Sequence, residues 1–381
     1  MEKAVRLNTL ATLLRRRIER GGPISLAEYM TLALSHRDHG YYQHRDPFGT
    51  SGDFITAPEI SQVFGELLGG WCAVLWEAME SPSTLRLIEA GPGRGTLMQD
   101  ALRVACRNDG FRKALHLHLV ETSGALRDVQ ARALAEFQPV FHDHLDAVPD
   151  GPTLLLANEF FDALPIRQYE QTADGWRERL VTVSPMTVSP GGFCFALADA
   201  VTSPLQIPDP VRDAPIGSRV EISLPALSLA HGLGERVRRC GGAALVLDYG
   251  SPITKPGESF QSVRDHRFHD PFANPGEADL TAHVDFQSLG EAARESGARV
   301  PASLPQGVFL ERLGIGPRAE QLAQSADPDT AAAIHAACHR LIDRQGMGTL
   351  FQVLAIAHPD LVAIAGFDAA PTNDTHHDAN G

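Results

Sequence analysis

Apolar positions change their period along this chain, and the changes mark out its elements. Near the start, Val5, Leu7, Leu10, Leu13, Leu14 and Ile18 recur at helical spacing. Gly22-Pro23 ends that helix. Ser25 and Glu28 have capping-box spacing for a second helix, which runs to about His39-Gly40. The stretch up to Pro58 is too rich in glycine, proline and aromatic residues for regular structure. A helix is then predicted over 59–79, with Phe64, Leu67, Leu68, Trp71 and Leu75 on its buried side.

Downstream, short apolar runs alternate with helical stretches. Leu85-Arg86-Leu87-Ile88 ends in Glu89 and a glycine loop, and 96–107 reads as a helix. A strand over 115–120 precedes a helix over 124–137. Apolar runs at 153–157 and 243–247 enter Asn158-Glu159 and Asp248-Tyr249-Gly250. This alternation predicts an α/β fold with a parallel, doubly wound sheet. It is interrupted at about 165–225 by short strands, the first two a hairpin across Asp174-Gly175, which read as a small β-rich insertion. Residues 251–285 read as loop, 285–296 and 317–344 as helices, and 350–356 as a last strand. The expected organisation is an N-terminal helical region and lid over 1–80, a catalytic domain over 81–365, and a disordered tail over 366–381.

Composition narrows the function. With 381 residues, one large domain carrying an insertion fits best. The 47 acidic against 33 basic residues give a net charge of -14, which argues against nucleic-acid binding. Five cysteines without CxxC spacing point to a reducing compartment and to neither zinc nor disulfides. No apolar run is long enough to span a bilayer. The basic N-terminal segment lacks the apolar core and cleavage site of a secretory signal. A cytoplasmic protein is expected, and a homodimer is compatible with the chain.

The sharpest local signal is Glu89-Ala90-Gly91-Pro92-Gly93-Arg94-Gly95, between a strand and a helix that starts at Thr96-Leu97. Its glycines let the backbone turn and approach a ligand, and the helix N-terminus offers free N–H groups. Dinucleotide sites place a pyrophosphate at such a loop, which Glu89 would repel. The ammonium and sulfonium of S-adenosylmethionine (SAM) would be attracted instead. SAM is favoured over a dinucleotide or a purely structural turn. Glu121, at the end of the next strand, suits the ribose hydroxyls, and Asp143, beside Phe141 and His142, suits the adenine amine.

Taken together, several blocks resemble the MidA-like family of SAM-dependent methyltransferases over about residues 5–357. They are DHGYY (38–42), SGDFITAPEISQVFGE (51–66), EAGPGRGTL (89–97), ANEFFDALPIRQ (157–168), LDYG (247–250), HRFHDPFANPGEADLTAHVDF (266–286) and QGVFLERLGI (306–315). The resemblance implies a Rossmann-like, seven-stranded class I methyltransferase sheet with helices over the site. It implies a protein arginine methyltransferase; in mitochondrial members the target is an arginine of a complex I subunit. It also implies cofactor contacts from the 51–66 block, Glu89 to Gly95, Glu121, Asp143 and Asn158-Glu159. Mitochondrial members carry a presequence, none is read here, and the chain looks like a bacterial relative.

Candidate chemistry follows. Glu159 and Asp162 are expected to grip the acceptor's guanidinium, and Asn158 to hydrogen-bond the cofactor or the substrate. Phe160 and Phe161 would wall the methyl group, and the alternative for both is core packing. Gly52, Asp53 and Glu59 lie on the expected lid and are candidates to contact the cofactor, with the substrate as the alternative for Asp53 and Glu59. Tyr249, His266 and His283 are placed on the substrate side, and no metal is expected. Methylation of a small molecule or another nitrogen, a non-catalytic SAM-binding assembly factor, and, more distantly, an NAD-type oxidoreductase are the competing readings.

Overall fold

The computed structural model describes residues 8–44, 56–184 and 192–368. Its centre is a sheet whose main path has seven strands: β1 (Leu85–Ala90), β2 (Leu115–Val120), β3 (Val140–His142), β4 (Thr153–Asn158), β5 (Gly242–Ser251), β6 (Leu304–Pro305) and β7 (Phe351–Ala357). The spatial order is β6-β7-β5-β4-β1-β2-β3. The strands from β3 to β5 are parallel, while β7 runs antiparallel to β5 and to β6. A two-residue strand, Val284–Asp285, also pairs with the end of β5 and brings the sheet to eight strands.

β4, β5 and β7 read as unbroken apolar runs because both faces of the sheet are covered. Helix Gln62–Ala78 packs on helix Thr96–Ala105 over one face. Their backbones approach so closely that a Cβ on Gly69 would lie 2.1 Å from the Ala101 carbonyl oxygen. Helices Leu224–Cys240 and Phe286–Glu295 cover the other face. Strand order reverses between β1 and β4, which opens a crevice at the C-terminal ends of these strands.

Two smaller sheets accompany the central one, and the second of them borders that crevice. The insertion supplies Arg167–Thr172, Gly175–Val183, Phe193–Val201 and Arg219–Ile222, and the N-terminal segment Ile24–Ser25 joins them as a fifth strand. Residues 251–285, expected to be loop, instead contain an antiparallel sheet of Gln261–Arg264, Arg267–His269 and Asp279–Thr281. Its strands are three or four residues long, too short to display a two-residue period. The N-terminal helices Thr9–Gly21 and Leu26–Ser35 pack on both sheets through Leu10, Leu14, Tyr29 and Met30. Ser25 caps the second of them, accepting the Glu28 N–H at 3.1 Å.

The predicted 317–344 helix is two, Ile315–Ala323 and Pro328–Ile342, because Asp327 caps a new start before Pro328. Helix Leu224–Cys240 carried no clear sequence signal, since Gly232 and Gly234 interrupt its apolar face. The expected tail lies, from residue 369, outside the described residues.

Candidate functional site

A cavity of about 510 Å³ fills the crevice, with its floor at the ends of β1, β2 and β4. Gly91 and Gly93 turn the chain after β1 with φ of 65° and 53°, in the left-handed region where a side chain is costly. At Gly91 a Cβ would also lie 2.7 Å from the Phe160 ring. Both glycines line the cavity, as do Thr96 and Leu97 of the following helix. Gly95 does not; it caps that helix at φ 83° and faces Leu134.

Glu89 is 3% exposed, and its Oε2 has no hydrogen-bond partner among the described residues. Burial pushes its carboxyl up to about 8. A buried acid on a cavity wall with an oxygen left unmatched is suited to receive a positive charge. Glu59 stands beside it on the wall and accepts the Thr96 hydroxyl at 2.8 Å. At the far end, Glu121 accepts the Ser123 N–H at 2.7 Å and the Gln130 amide at 3.2 Å. The same Gln130 nitrogen donates to the Gly93 carbonyl at 2.7 Å, which ties the glycine turn to β2. Asp143 lines this end too and pairs with Arg127 at 2.7 Å.

The opposite wall begins at Asn158-Glu159. Glu159 takes φ of 48°, a strained conformation for a non-glycine residue, and its N–H donates to the Leu247 carbonyl at 2.9 Å. Its Oε1 accepts the Ala57 N–H at 3.0 Å and the Asn158 amide at 3.2 Å. Burial nevertheless pushes its carboxyl up to about 7, with Asp162 and Asp279 adding to the rise. Asp162 is 6% exposed, its Oδ1 has no partner among the described residues, and burial pushes its carboxyl up to about 6. Beneath this turn Asp248, fully buried, accepts the N–H groups of Phe160, Phe161 and Asp162 on one oxygen, at 3.2, 2.9 and 3.2 Å.

The structure therefore gathers Glu59, Glu89, Gly91, Gly93, Thr96, Leu97, Glu121, Asp143, Asn158, Glu159, Phe160, Asp162 and Tyr249 around one cavity. It does not bring three of the expected substrate residues there. Phe161 is 2% exposed and packs in the core on the β5 side of the sheet. His266 sits exposed in the turn between Gln261–Arg264 and Arg267–His269. His283 lies behind Tyr249, their ring centroids 5.5 Å apart, and faces another depression. Gly52 and Asp53 lie outside the described residues. Tyr42, Asp279 and Thr281 complete the wall and were not singled out in the sequence. Asp279 and Thr281 have the two-residue spacing of one strand face. Among the described residues no group of acids, histidines and cysteines has the arrangement of a metal site, and no helix is long and apolar enough to cross a membrane.

The donor set fits SAM. The glycine turn leaves room for backbone approach, Glu89 and the buried Asn158 Oδ1, which has no partner among the described residues, offer acceptors, and Glu121 lines the cavity just after β2, where a carboxylate can accept from ribose hydroxyls.

Comparison with known proteins agrees. A family model described as putative S-adenosyl-L-methionine-dependent methyltransferase matches residues 67–303. The protein arginine methyltransferase NDUFAF7, mitochondrial, of Danio rerio is 38% identical over 358 residues, spanning 88% of this chain and 83% of that protein. The Homo sapiens protein of the same name is 36% identical over 365 residues, 89% of this chain and 81% of that one. In three dimensions the chain is similar to a likely methyl transferase from Burkholderia thailandensis bound to S-adenosyl-homocysteine. The TM-score is 0.77 and the identity 28%, over 95% of this chain and 93% of that one. With a family model over more than half of the chain and relatives matched over most of their length, the chain belongs to the MidA-like family of SAM-dependent methyltransferases.

Proposed function

We propose that this methyltransferase acts on an arginine side chain of a protein partner. The observation that carries this reading is the charge of the cavity wall. Glu59, Glu89, Glu121, Asp143, Glu159, Asp162 and Asp279 all line it, against the single guanidinium of Arg94 among the described residues. Such a wall suits two cations side by side, the cofactor's and the acceptor's. The names of the relatives, protein arginine methyltransferases, support the same acceptor.

When bound, SAM supplies an electrophilic methyl group on a sulfonium that leaves readily. The chain's own task is to hold and orient the acceptor and to take up a proton. Glu159 and Asp162 face the acceptor's N–H groups and draw its positive charge toward the nitrogens that do not react. The proton lost from the methylated nitrogen passes to one of these carboxylates, whose raised affinity for protons suits them to receive it. Lysine is a poor acceptor for such a site. Surrounding carboxylates stabilise the ammonium and so withhold its lone pair, whereas a guanidinium keeps its charge in any case. Five cysteines, none paired with another, support residence in the reducing cytoplasm.

The test is label transfer from methyl-tritiated SAM into extract of cells lacking the gene, followed by mass spectrometry of the labelled proteins. Methylarginine in a protein is the expected product. Label confined to small molecules, or methyl groups found on lysine, overturns the reading.

A further inference from the structure

One carboxylate of the acceptor wall comes from a segment remote from the turn that follows β4. Asp279, 5% exposed, lies on strand Asp279–Thr281, and its Oδ1 accepts the Tyr42 hydroxyl at 2.8 Å and the Leu280 N–H at 3.0 Å. Leu280 faces away into the core beside the fully buried Tyr41, whose ring packs edge-on against Tyr42 at 5.1 Å. The two segments are clamped together. Asn8 donates to the Pro275 carbonyl at 2.9 Å, and a Cβ on Gly276 would lie 2.2 Å from the His39 carbonyl oxygen. Asp279 is thus a buried acid held at a fixed place on the cavity wall. It is close enough to Glu159 for their charges to interact, and Tyr42 feels both Asp279 and Asp162.

Resting on the arginine reading above, we propose that Asp279, oriented by Tyr42, is a specificity-determining residue that receives the edge of the acceptor's guanidinium turned away from Glu159 and Asp162. A guanidinium presents five N–H groups in a planar fork. One nitrogen must face the methyl group, so the remaining donors point to more than one side. Glu159 and Asp162 belong to a single turn and supply acceptors from one side. Asp279 reaches the same cavity from the three-stranded sheet, held there by Tyr42 of the N-terminal segment, and supplies another. A planar cation between acids on separate segments is matched in shape and charge. A neutral urea of equal shape would leave those acids facing no counter-charge.

The experiment uses a bisubstrate probe, adenosine carrying an alkylguanidine tether at its 5′ position, and its neutral urea counterpart. Both are titrated by calorimetry into the intact protein and into Asp279→Asn, Tyr42→Phe and Glu159→Gln. The wild type should favour guanidine over urea by at least about tenfold, the worth of one hydrogen bond to a charged group. Asp279→Asn should reduce that preference about tenfold, and Tyr42→Phe should do so partly. Affinity for S-adenosyl-homocysteine should stay within about threefold, which shows that each variant remains folded. If the wild type does not discriminate between the probes, the arginine reading itself fails. If the wild type and Glu159→Gln differ in preference but Asp279→Asn and Tyr42→Phe match the wild type, the role of Asp279 is overturned.

Discussion

The Oδ2 atom of Asp248 accepts the backbone N–H of Phe161 at 2.9 Å, and the same atom takes the N–H groups on either side. Its second oxygen accepts the N–H of Tyr249 at 2.9 Å. One buried side chain on β5 therefore fixes the turn after β4, including the strained Glu159 and the cavity-facing Asp162. Converging N–H groups make a site for negative charge, and a carboxylate meets it with both oxygens.

Asp248→Asn keeps the shape and places an amide NH₂ group where one carboxylate oxygen accepted N–H groups. Leaving buried donors unmatched costs about 1–3 kcal/mol. A lower melting temperature is expected, together with a turnover loss of at least about tenfold and SAM affinity changed far less. Thermal melts and a kcat-versus-Kd comparison check this. Retained turnover would separate Asp248 from the geometry of the turn.

The elements that form the floor of the cavity were legible in the sequence, and the physics explains why. A strand buried on both faces that ends in an acid and three glycines is visible to a local reading. So is Asn158-Glu159 after β4, because sheet topology brings all such strand ends to one crevice. The acceptor wall was harder to read. Asp279 and Thr281 sit on a three-residue strand, and their partnership with Tyr42 spans 237 positions of sequence. The histidines of the same block drew attention by their chemistry, yet His266 occupies an exposed turn. Likewise Phe161 alternates with Phe160: one faces the cavity and the other the core.

Glu121 should govern cofactor affinity. It is fixed by Ser123 and Gln130 at the end of β2, where a carboxylate accepts from ribose hydroxyls. Glu121→Gln should weaken SAM binding by about tenfold or more, since hydrogen bonds to a charged group are worth roughly 1.5–3 kcal/mol. Calorimetry reads the effect. Glu159→Gln should instead depress turnover and leave SAM affinity nearly unchanged. If both substitutions act alike on both quantities, the separation of cofactor and acceptor walls is lost.

Two adjacent glycines give an internal control on packing. Gly69 and Gly70 share helix Gln62–Ala78, but a Cβ on Gly70 meets nothing within 4 Å, whereas one on Gly69 collides with Ala101. Gly70→Ala should stabilise by about 0.5–1 kcal/mol, through helix propensity. Gly69→Ala should destabilise by about 1–3 kcal/mol, through overpacking. Denaturant titrations distinguish them, and equal effects would contradict the close approach of the two helices.

Activity and stability of the free protein should respond oppositely to pH. Burial holds Glu159 at about 7 and Asp162 at about 6, both above the ordinary carboxylate range. The folded chain therefore binds these protons more tightly than the unfolded chain does. Their contribution to stability is complete below about pH 4, the ordinary carboxylate value, and is lost as pH rises through 6 to 7. The melting temperature of the ligand-free protein should fall across this window, and Glu159→Gln should flatten the fall. The kcat/KM for the protein acceptor should rise over the same window, because the grip on the guanidinium needs ionised acids. A rate independent of pH between 5.5 and 8 would remove Glu159 and Asp162 from the reaction.

Cofactor binding should release a proton, and Glu89 is the source. Burial holds its carboxyl up to about 8, so at neutral pH it is mostly protonated. The ammonium of SAM beside it favours the ionised form and lowers that value. By linkage, affinity for SAM should then increase as pH rises toward about 8, with up to one proton released per molecule bound at pH 7. Calorimetry in two buffers of different ionisation enthalpy counts the protons directly. Glu89→Gln should abolish the release and weaken binding while leaving the glycine turn intact. Proton release unchanged in Glu89→Gln would overturn the role of Glu89 as the source.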